Sequence, residues 1–361
     1  MLGLRQTGID VVPVRAGPPR PVMRASLVLL SAARVRGVES GGLRSAVAAK
    51  RGLAIVSREM IALRQLALSA SLRRAGPLDG LIQIGTEYRL RSGVPFVTYE
   101  DQTVAQAAAT PFSFVHELPP RVVERWRGRQ LWAYARARGC CMQTRWAGRS
   151  AVEDYGLSAS AVHAVGVGRN YSAPPGQRDW SSPRFLLVAA EWERKNGPGV
   201  LRALARLREQ RPDATLDVVG NHPRIDADGV TAHGRLRMGV AAERDRMQHL
   251  YRTSTCLVMP SFHEPAGTAY ADAGGAGMPS IGTTRGGSAE MVGAGGRVVD
   301  PGDDGALLAA MRELAEPATA ARLGQLAQRH SELFTWPRVA ERVLRALAPP
   351  GVALEPLAGF L

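Results

Sequence analysis

The sequence has few lysines, few cysteines and no long apolar run, and each absence narrows the class of protein. All but two of its 46 basic residues are arginines; the lysines are Lys50 and Lys195. The cysteines, at 140, 141 and 256, fit neither a disulfide framework nor a metal-ligand spacing, which favours a reducing compartment. No apolar run approaches the roughly 18 residues of a transmembrane helix, and no signal core is recognisable at the N-terminus. We therefore expect a cytoplasmic protein.

The net charge of +14 is distributed unevenly along the 361 residues. Residues 1–176 hold 24 Lys and Arg against 11 Asp and Glu, whereas residues 177–361 hold 22 against 21. The shift falls at a Pro-Pro-Gly segment, 174–176, and the length suits two domains. An arginine excess of this kind is typical of a GC-rich bacterial genome. We therefore expect no nucleic-acid partner despite the high pI.

The N-terminal part, residues 1–176, alternates strand and helix patterns from about residue 57 onwards. A doubly wound domain begins with a strand, a glycine loop and a helix. That beginning is not recognisable here: either the sequence starts downstream of the first strand and loop, or the domain does without them. The predicted strand Pro95–Tyr99 is followed directly by Glu100 and Asp101. Because open α/β sheets present ligands at strand C-termini, these are candidate site residues; two solvated turn acids are an equal alternative.

A basic stretch runs from Pro119 to Arg149, with eight arginines, one acid and interleaved aromatic residues. Such a segment can lie on an anionic membrane or hold an anionic acceptor. The simpler interpretation is a solvated face with its aromatic residues in the core, and we favour it because charge runs are commonly just solvated.

The second part begins with a buried strand, Arg184–Ala190, followed by the turn sequence EWERKNG. Arg194 and Lys195 in this turn can bind a phosphate, the first through a planar fork and the second through a compact charge. A solvated turn is the alternative. The functional interpretation is favoured, because one of only two lysines lies at this position.

The stretch Leu257–Val292 predicts a strand, a loop with Glu264, and a helix of small residues that opens near Gly267 and Thr268. The amides and dipole of a helix N-terminus favour an anion. Asp272 lies about five residues into this helix. An ordinary βα unit with a solvated acid is the alternative interpretation.

This order of residues resembles the donor site of family 4 glycosyltransferases, which have the GT-B fold. The matching pattern is S-x-x-E-P-x-G, a carboxylate eight residues after the Glu, then G-x-P and G-G-x-x-E. The resemblance covers roughly Phe185 to Arg345. Two positions depart from it: Asp272 replaces the usual Glu, and Ala266 the usual Phe.

The resemblance implies an α/β fold of the GT-B type, with two Rossmann-like doubly wound domains facing across a cleft. An acceptor-side domain would span 1–176 and a nucleotide-sugar domain 177–335. Residues 336–348 would form a helix that crosses back to the first domain, and 349–361 a tail.

The resemblance also implies a retaining glycosyltransferase that uses a nucleoside-diphosphate sugar and needs no metal or other cofactor. The diphosphate would be held by Arg194, Lys195 and the amides of Gly267 and Thr268. Glu264 would hold sugar hydroxyls and Asp272 the ribose. Glu100 and Asp101 match a His-Asp pair near the transferred sugar, with Glu in place of His.

The acceptor is not readable from the sequence; a saccharide, a lipid-linked or a small molecule all fit. Peripheral contact with the inner face of an anionic membrane is compatible with the basic first half. An alternative function is a non-catalytic protein that binds membranes or polyanions on a GT-B scaffold.

Overall fold

The computed structural model describes residues 2–5, 8–33, 51–171 and 178–349, which form two α/β domains. Each domain is built on one parallel sheet. The predicted boundary at 176 and nearly all of the predicted tail, 350–361, lie outside the described residues.

The N-terminal domain has a four-stranded sheet in the sequential order β1-β2-β3-β4. All neighbouring strands are parallel. The strands are β1 (Leu81–Ile84), β2 (Phe96–Glu100), β3 (Gly139–Met142) and β4 (Val162–Ala164). The described helices before and between them are α1 (Leu2–Arg5), α2 (Arg20–Ala32), α3 (Arg51–Ile55), α4 (Arg58–Ala75), α5 (Val104–Ala108), α6 (Pro120–Tyr134) and α7 (Arg145–Glu153).

The C-terminal domain has a six-stranded parallel sheet in the order β10-β9-β8-β5-β6-β7. Read from its other edge, this is the order of a doubly wound sheet. The sequence order of the strands reverses between β5 and β8, while all strands stay parallel. The strands are β5 (Arg184–Ala189), β6 (Thr215–Gly220), β7 (Val230–Gly234), β8 (Cys256–Val258), β9 (Ser280–Thr283) and β10 (Gly296–Val299). A ligand site is expected outside the carboxyl ends of β5 and β8, because a crevice opens at such a switch point.

The helices of the C-terminal part cover both faces of this sheet. Its largest core cluster contains side chains from β5, β6 and β8 together with the helices against them. The helices are α8 (Gly197–Arg208), α9 (Ala241–Thr253), α10 (Thr268–Gly275), α11 (Ser288–Val292), α12 (Asp304–Ala315), α13 (Pro317–Ser331) and α14 (Trp336–Leu347).

The last helix, α14, packs against the sheet of the N-terminal domain. Thr335 caps its start by accepting a hydrogen bond from the Arg338 amide, and a proline follows in the first turn, where its missing N–H costs nothing. Val339, Val343 and Ala346 are spaced to share one face of the helix. They are buried against core residues of β2 and β3, so the chain returns to its first domain.

Within the described ranges, no helix is long and apolar enough to span a membrane.

Candidate functional site

The turn after β5 places Arg194 and Lys195 at the switch point of the C-terminal sheet. The Lys195 amide donates to Glu191 O at 2.9 Å, which closes the turn. Asn196 adopts the left-handed conformation at φ 57°, and its side chain caps α8 by accepting from the Gly199 amide. Because Asn tolerates this conformation better than most residues, the turn can end here and the helix begin at once.

Glu264 is held in the loop after β8 by a glycine turn after β9. Its amide donates to Arg285 O, and its carbonyl accepts from the Gly287 amide, each at 3.0 Å. This short parallel bridge pairs Glu264 with Gly286. The backbone around Glu264 is therefore fixed on both sides, as a positioned carboxylate requires.

The three charged residues predicted from the sequence meet at this point. Lys195 Nζ forms an ion pair with Glu264 Oε2, and Arg194 Nη1 lies 3.6 Å from the same oxygen. Ser261 Oγ donates to it at 3.1 Å. Burial lowers the pKa of Lys195, while Glu264 acts in the opposite direction. With both partners buried, the alternatives of a solvated turn and a solvated acid are wrong for Lys195 and Glu264.

The N-terminus of α10 lies next to Glu264 in sequence and in space. Gly267 precedes the helix at φ 85°, and a side chain added there would collide with the Tyr270 ring and approach the Glu264 side chain. The first amides of a helix, here from Thr268 onwards, have no intrahelical acceptor. The turn therefore brings backbone donors and a positive dipole end beside the charged cluster.

Asp272 of α10 faces the connection between the domains. Its Oδ1 accepts from the amides of Asn170 and Tyr171, at 2.5 and 3.1 Å. Burial raises the pKa of Asp272 to about 7, although these amides pull it down. The structure thus gives Asp272 a contact with the interdomain backbone. Its assignment to a ribose stays a prediction.

Glu100 lies in a buried hydrogen-bond network inside the N-terminal domain. Its carboxylate accepts from Tyr134 at 2.6 Å, from Thr86 at 2.8 Å and from Gln130 at 3.2 Å. The interpretation as a solvated turn acid is wrong for this residue, because the side chain is buried. The network does not bring Glu100 to Lys195 and Glu264, and a catalytic role for it stays a prediction.

This network makes stability depend on pH. Burial raises the pKa of Glu100 from 4.5 to about 7. Between about pH 4.5 and 7, the native state therefore keeps a proton on Glu100 that the unfolded chain has released. The free energy of unfolding is highest below about pH 4.5 and falls as the pH rises through about 7. We expect Glu100→Gln to reduce this fall, by an amount on the order of 3 kcal/mol. Urea unfolding at a series of pH values measures it.

The matched control for this prediction is Glu153→Gln, which removes an exposed acid from α7. It should retain the pH dependence of the original protein. An equal slope in Glu100→Gln and in the control would show that Glu100 does not contribute.

Asp101 follows β2 directly, and its side chain is exposed. The alternative of a solvated turn acid therefore stays open for Asp101. Next to it, Gln102 Oε1 lies 2.8 Å from His263 Nε2 of the other domain. A role of Asp101 in the site stays a prediction.

A second carboxylate, Glu290 of α11, joins the two domains at the mouth of this cleft. Its two oxygens accept from the amides of Arg145 and Trp146, at 2.7 and 2.9 Å. These amides open α7, so the carboxylate also meets the positive end of that helix. Beside it, Thr144 Oγ1 donates to Pro265 O at 3.3 Å. The G-G-x-x-E pattern contains Glu290, but the sequence indicated no role for it.

We expect Glu290→Ala to shift the protein towards an open arrangement of its domains. The change removes two hydrogen bonds to the Glu290 carboxylate and its favourable interaction with the positive end of α7. Together these are worth about 1–3 kcal/mol. Small-angle scattering should show a larger radius of gyration. The exposed Glu209→Ala serves as control and should scatter like the original protein; an unchanged radius in Glu290→Ala would contradict the interdomain role.

A cavity of about 580 Å³ lies between Trp192 and Glu193, in the turn after β5, and the carboxyl ends of β6 and β7. The Trp192 and His222 rings meet there edge to face at 6.3 Å between centroids. The other lining residues are Glu193, Gly220, Asn221, Pro223 and Gly234. Sequence reasoning missed this pocket. The only available signals were the glycine that ends β6 and the aromatic residue before Arg194.

Comparison with known proteins agrees with this geometry. Residues 182–317 match the family model described as glycosyl transferases group 1. A structure of sucrose-phosphate synthase from Thermosynechococcus elongatus superposes with a TM-score of 0.62 at 19% identity, over 81% of this chain and 77% of that one. The fold of the chain is therefore GT-B, as predicted.

Curated relatives with glycosyltransferase names match over shorter stretches of the chain than that structure does. A D-inositol 3-phosphate glycosyltransferase of Streptomyces avermitilis is 30% identical over 39% of this chain and 34% of its own length. A GDP-mannose-dependent alpha-(1-6)-phosphatidylinositol monomannoside mannosyltransferase of Mycolicibacterium smegmatis is 33% identical over 40% and 41%. The alignments thus span about one third to two fifths of these relatives.

Proposed function

We propose that this protein is a retaining glycosyltransferase that transfers a sugar from a nucleoside-diphosphate sugar to an acceptor hydroxyl. One observation supports this most directly. Lys195, Arg194 and Glu264 converge at the switch point of the C-terminal sheet, beside the N-terminus of α10. Retention of configuration is proposed from the family alone.

The diphosphate would lie between the Arg194-Lys195 turn and the first amides of α10. Breaking the sugar–phosphate bond leaves negative charge on the departing phosphate. A lysine, an arginine and a helix N-terminus can stabilise that charge, because they are already oriented and partly shielded from water. The cavity at Trp192 and His222 is open to the same turn and would take the nucleoside.

Glu264 would bind hydroxyls of the transferred sugar. Before the donor enters, its carboxylate is compensated by Lys195. A sugar hydroxyl and a phosphate oxygen can each replace one half of this pair. The charged groups of Lys195 and Glu264 then move little during the reaction, as expected of a preorganised site.

Asp101 would contact the sugar or the acceptor hydroxyl from the N-terminal domain. The neighbouring Glu100 network anchors the end of β2 and would position Asp101. Asp272 would bind the ribose of the donor. It would also hold the interdomain connection through its contacts with Asn170 and Tyr171. The two domains would close over the cleft, with Glu290 of α11 bound to the start of α7. This closure would exclude water and limit hydrolysis of the donor.

The first test is a thermal-shift screen of UDP-, GDP- and ADP-sugars, followed by transfer assays. A donor at 100 times its Kd should add about 2.7 kcal/mol of stability. Inositol 3-phosphate and phosphatidylinositol mannosides are suitable first acceptors, given the names of the relatives. Product NMR distinguishes retention from inversion.

Stabilisation by a nucleotide sugar together with product formation would support the proposal. Binding to anionic liposomes or heparin, with no response to any nucleotide sugar, would instead support a non-catalytic membrane- or polyanion-binding protein.

A further inference from the structure

A second cavity, of about 790 Å³, lies on the N-terminal domain away from the cleft. We call it the arginine cavity; it is lined by residues 90–96, Trp132, Arg136 and Arg138. Pro95 and Phe96 stand at the start of β2, and the Arg138 amide donates to Phe96 O at 2.8 Å. Asp101 follows the other end of β2. At a rise of about 3.3 Å per residue, the five residue steps from Phe96 to Asp101 separate the two places by about 17 Å.

The lining carries positive charge and no acid. Arg91, Arg136 and Arg138 contribute three guanidinium groups. Arg138 donates to Leu347 O at 2.9 Å, which fixes it at the end of α14. Arg91 and Arg136 are exposed, and within the described part of the chain neither side chain forms an ion pair or a hydrogen bond.

An aromatic ring orders the charges on one side of the cavity. The Arg136 guanidinium lies over the Trp132 ring at 4.5 Å from its centroid, and that of Arg89 lies over it at 5.4 Å. Stacking of this kind restricts a guanidinium while its N–H groups stay available in its plane. Arg136 is therefore held at the mouth with its donors unused.

Two further arginines, Arg89 on the same ring and Arg129 three residues before Trp132 in α6, have polar atoms without hydrogen-bond partners. The Nε atoms of Arg89 and Arg129 and one terminal nitrogen of Arg129 are buried and unpartnered within the described residues. The pKa of Arg129 is lowered by burial and then by Arg125 and Arg89. Buried unsatisfied donors are uncommon and call for an explanation. An anion in the cavity would offset this charge.

Some arginines elsewhere are matched with acids, such as Arg64 with Glu87 at 3.0 Å and Arg202 with Asp304 at 2.8 Å. The arginine cavity differs because three arginines line one concave place and no acid lines it. This arrangement, rather than the number of arginines, favours a site over a solvated face.

We propose that the arginine cavity binds the phosphate group of a phosphorylated ligand. Guanidinium forks match phosphate oxygens in charge and geometry, and a cavity of this size accommodates a multiply phosphorylated small molecule or a phospholipid headgroup. The site is separate from the donor site, so this proposal does not depend on the proposed transfer reaction.

Titration calorimetry with myo-inositol hexakisphosphate tests the proposal. We expect the double variant Arg91→Gln/Arg136→Gln to bind this probe at least about tenfold more weakly than the original protein, because two charge-assisted contacts are lost. The control is Arg246→Gln/Arg252→Gln, which removes two exposed arginines from α9. It should bind within about twofold of the original protein. Lys195 is intact in all three proteins, so the donor site contributes equally.

Absence of binding, equal affinity in the double variant, or equal losses in both variants would overturn the proposal. Equal melting temperatures of the three proteins show that folding is not the cause. Sedimentation with phosphatidylcholine vesicles that contain phosphatidylinositol phosphate identifies the source. Loss of vesicle binding in the cavity variant alone assigns a lipid headgroup, whereas probe binding without vesicle binding assigns a soluble phosphorylated molecule.

Discussion

Lys195→Ala and Glu264→Gln are each expected to lower the turnover of a nucleotide-sugar donor by about 100-fold or more. Lys195→Ala removes a preorganised positive charge next to the departing phosphate, an interaction that typically contributes 10²–10³ in rate. Glu264→Gln keeps the shape of the side chain but replaces a charged acceptor of sugar hydroxyls by a neutral amide. Initial rates with the best donor from the thermal-shift screen measure both effects.

Lys195→Ala should leave the protein folded, whereas Glu264→Gln removes the ion-pair partner of the buried Lys195 and should lower the free energy of unfolding. In Lys195→Ala the Glu264 carboxylate still has Ser261 Oγ at 3.1 Å and Arg194 at 3.6 Å, so it is not left as an unpaired buried charge. Arg246→Gln, an exposed charge removal on α9, is the control and should keep full turnover. Near-normal turnover in either site variant would show that the charged cluster is not the donor site.

Gly286→Ala is expected to cause the second large loss, in both stability and turnover. Gly286 has φ 117°, and a Cβ there would lie 2.1 Å from the Glu264 carbonyl oxygen. Because the obstacle is backbone, the bridge to Glu264 must break or shift. Strain and lost contacts should cost about 3 kcal/mol of unfolding free energy. A displacement of about 1 Å at Glu264 can lower turnover by about 100-fold.

A matched variant separates the collision from the backbone strain. Gly277 also has a positive φ, 68°, but its nearest neighbour would lie 3.8 Å from an added Cβ. Gly277→Ala should therefore lose about 1 kcal/mol in urea unfolding and keep its turnover. Equal effects of the two changes would show that the clash with Glu264 is not responsible.

The core of the candidate site was predicted from the motif spacing of the resembled family together with local signals. Lys195 and Glu264 each lie six residues after a buried strand, and the carboxyl ends of neighbouring parallel strands lie at one edge of a sheet. The rarity of lysine also separated Lys195 from the many arginines. These signals lie in two short segments. The fold brings the segments together because β5 and β8 are neighbours in the sheet.

Glu100 shows where local reasoning was insufficient. It shares the strand face of Phe96 and Thr98, whereas Val97 and Tyr99 pack on the side of α14. The alternation along β2 was visible in the sequence. The alternation did not indicate the partner of Glu100. This partner is Tyr134, 34 residues further on, whose hydroxyl donates to the Glu100 carboxylate. Only the packing of α6 on the sheet determines this contact.

Asp272 and Glu290 depend on contacts over still longer separations. Asp272 binds backbone about 100 residues earlier in the chain, and Glu290 binds the start of α7 nearly 150 residues away. Motif spacing identifies such carboxylates but does not show what they face. Their partners are set by how the two domains meet.

The most direct test of the account is the affinity of a nucleoside diphosphate for the original protein and for Lys195→Ala. Titration calorimetry with the diphosphate of the preferred donor should show binding that Lys195→Ala weakens by about tenfold or more, while Arg246→Gln leaves it unchanged. The same dissociation constant for the original protein and Lys195→Ala would contradict a diphosphate site at the switch point of the C-terminal sheet.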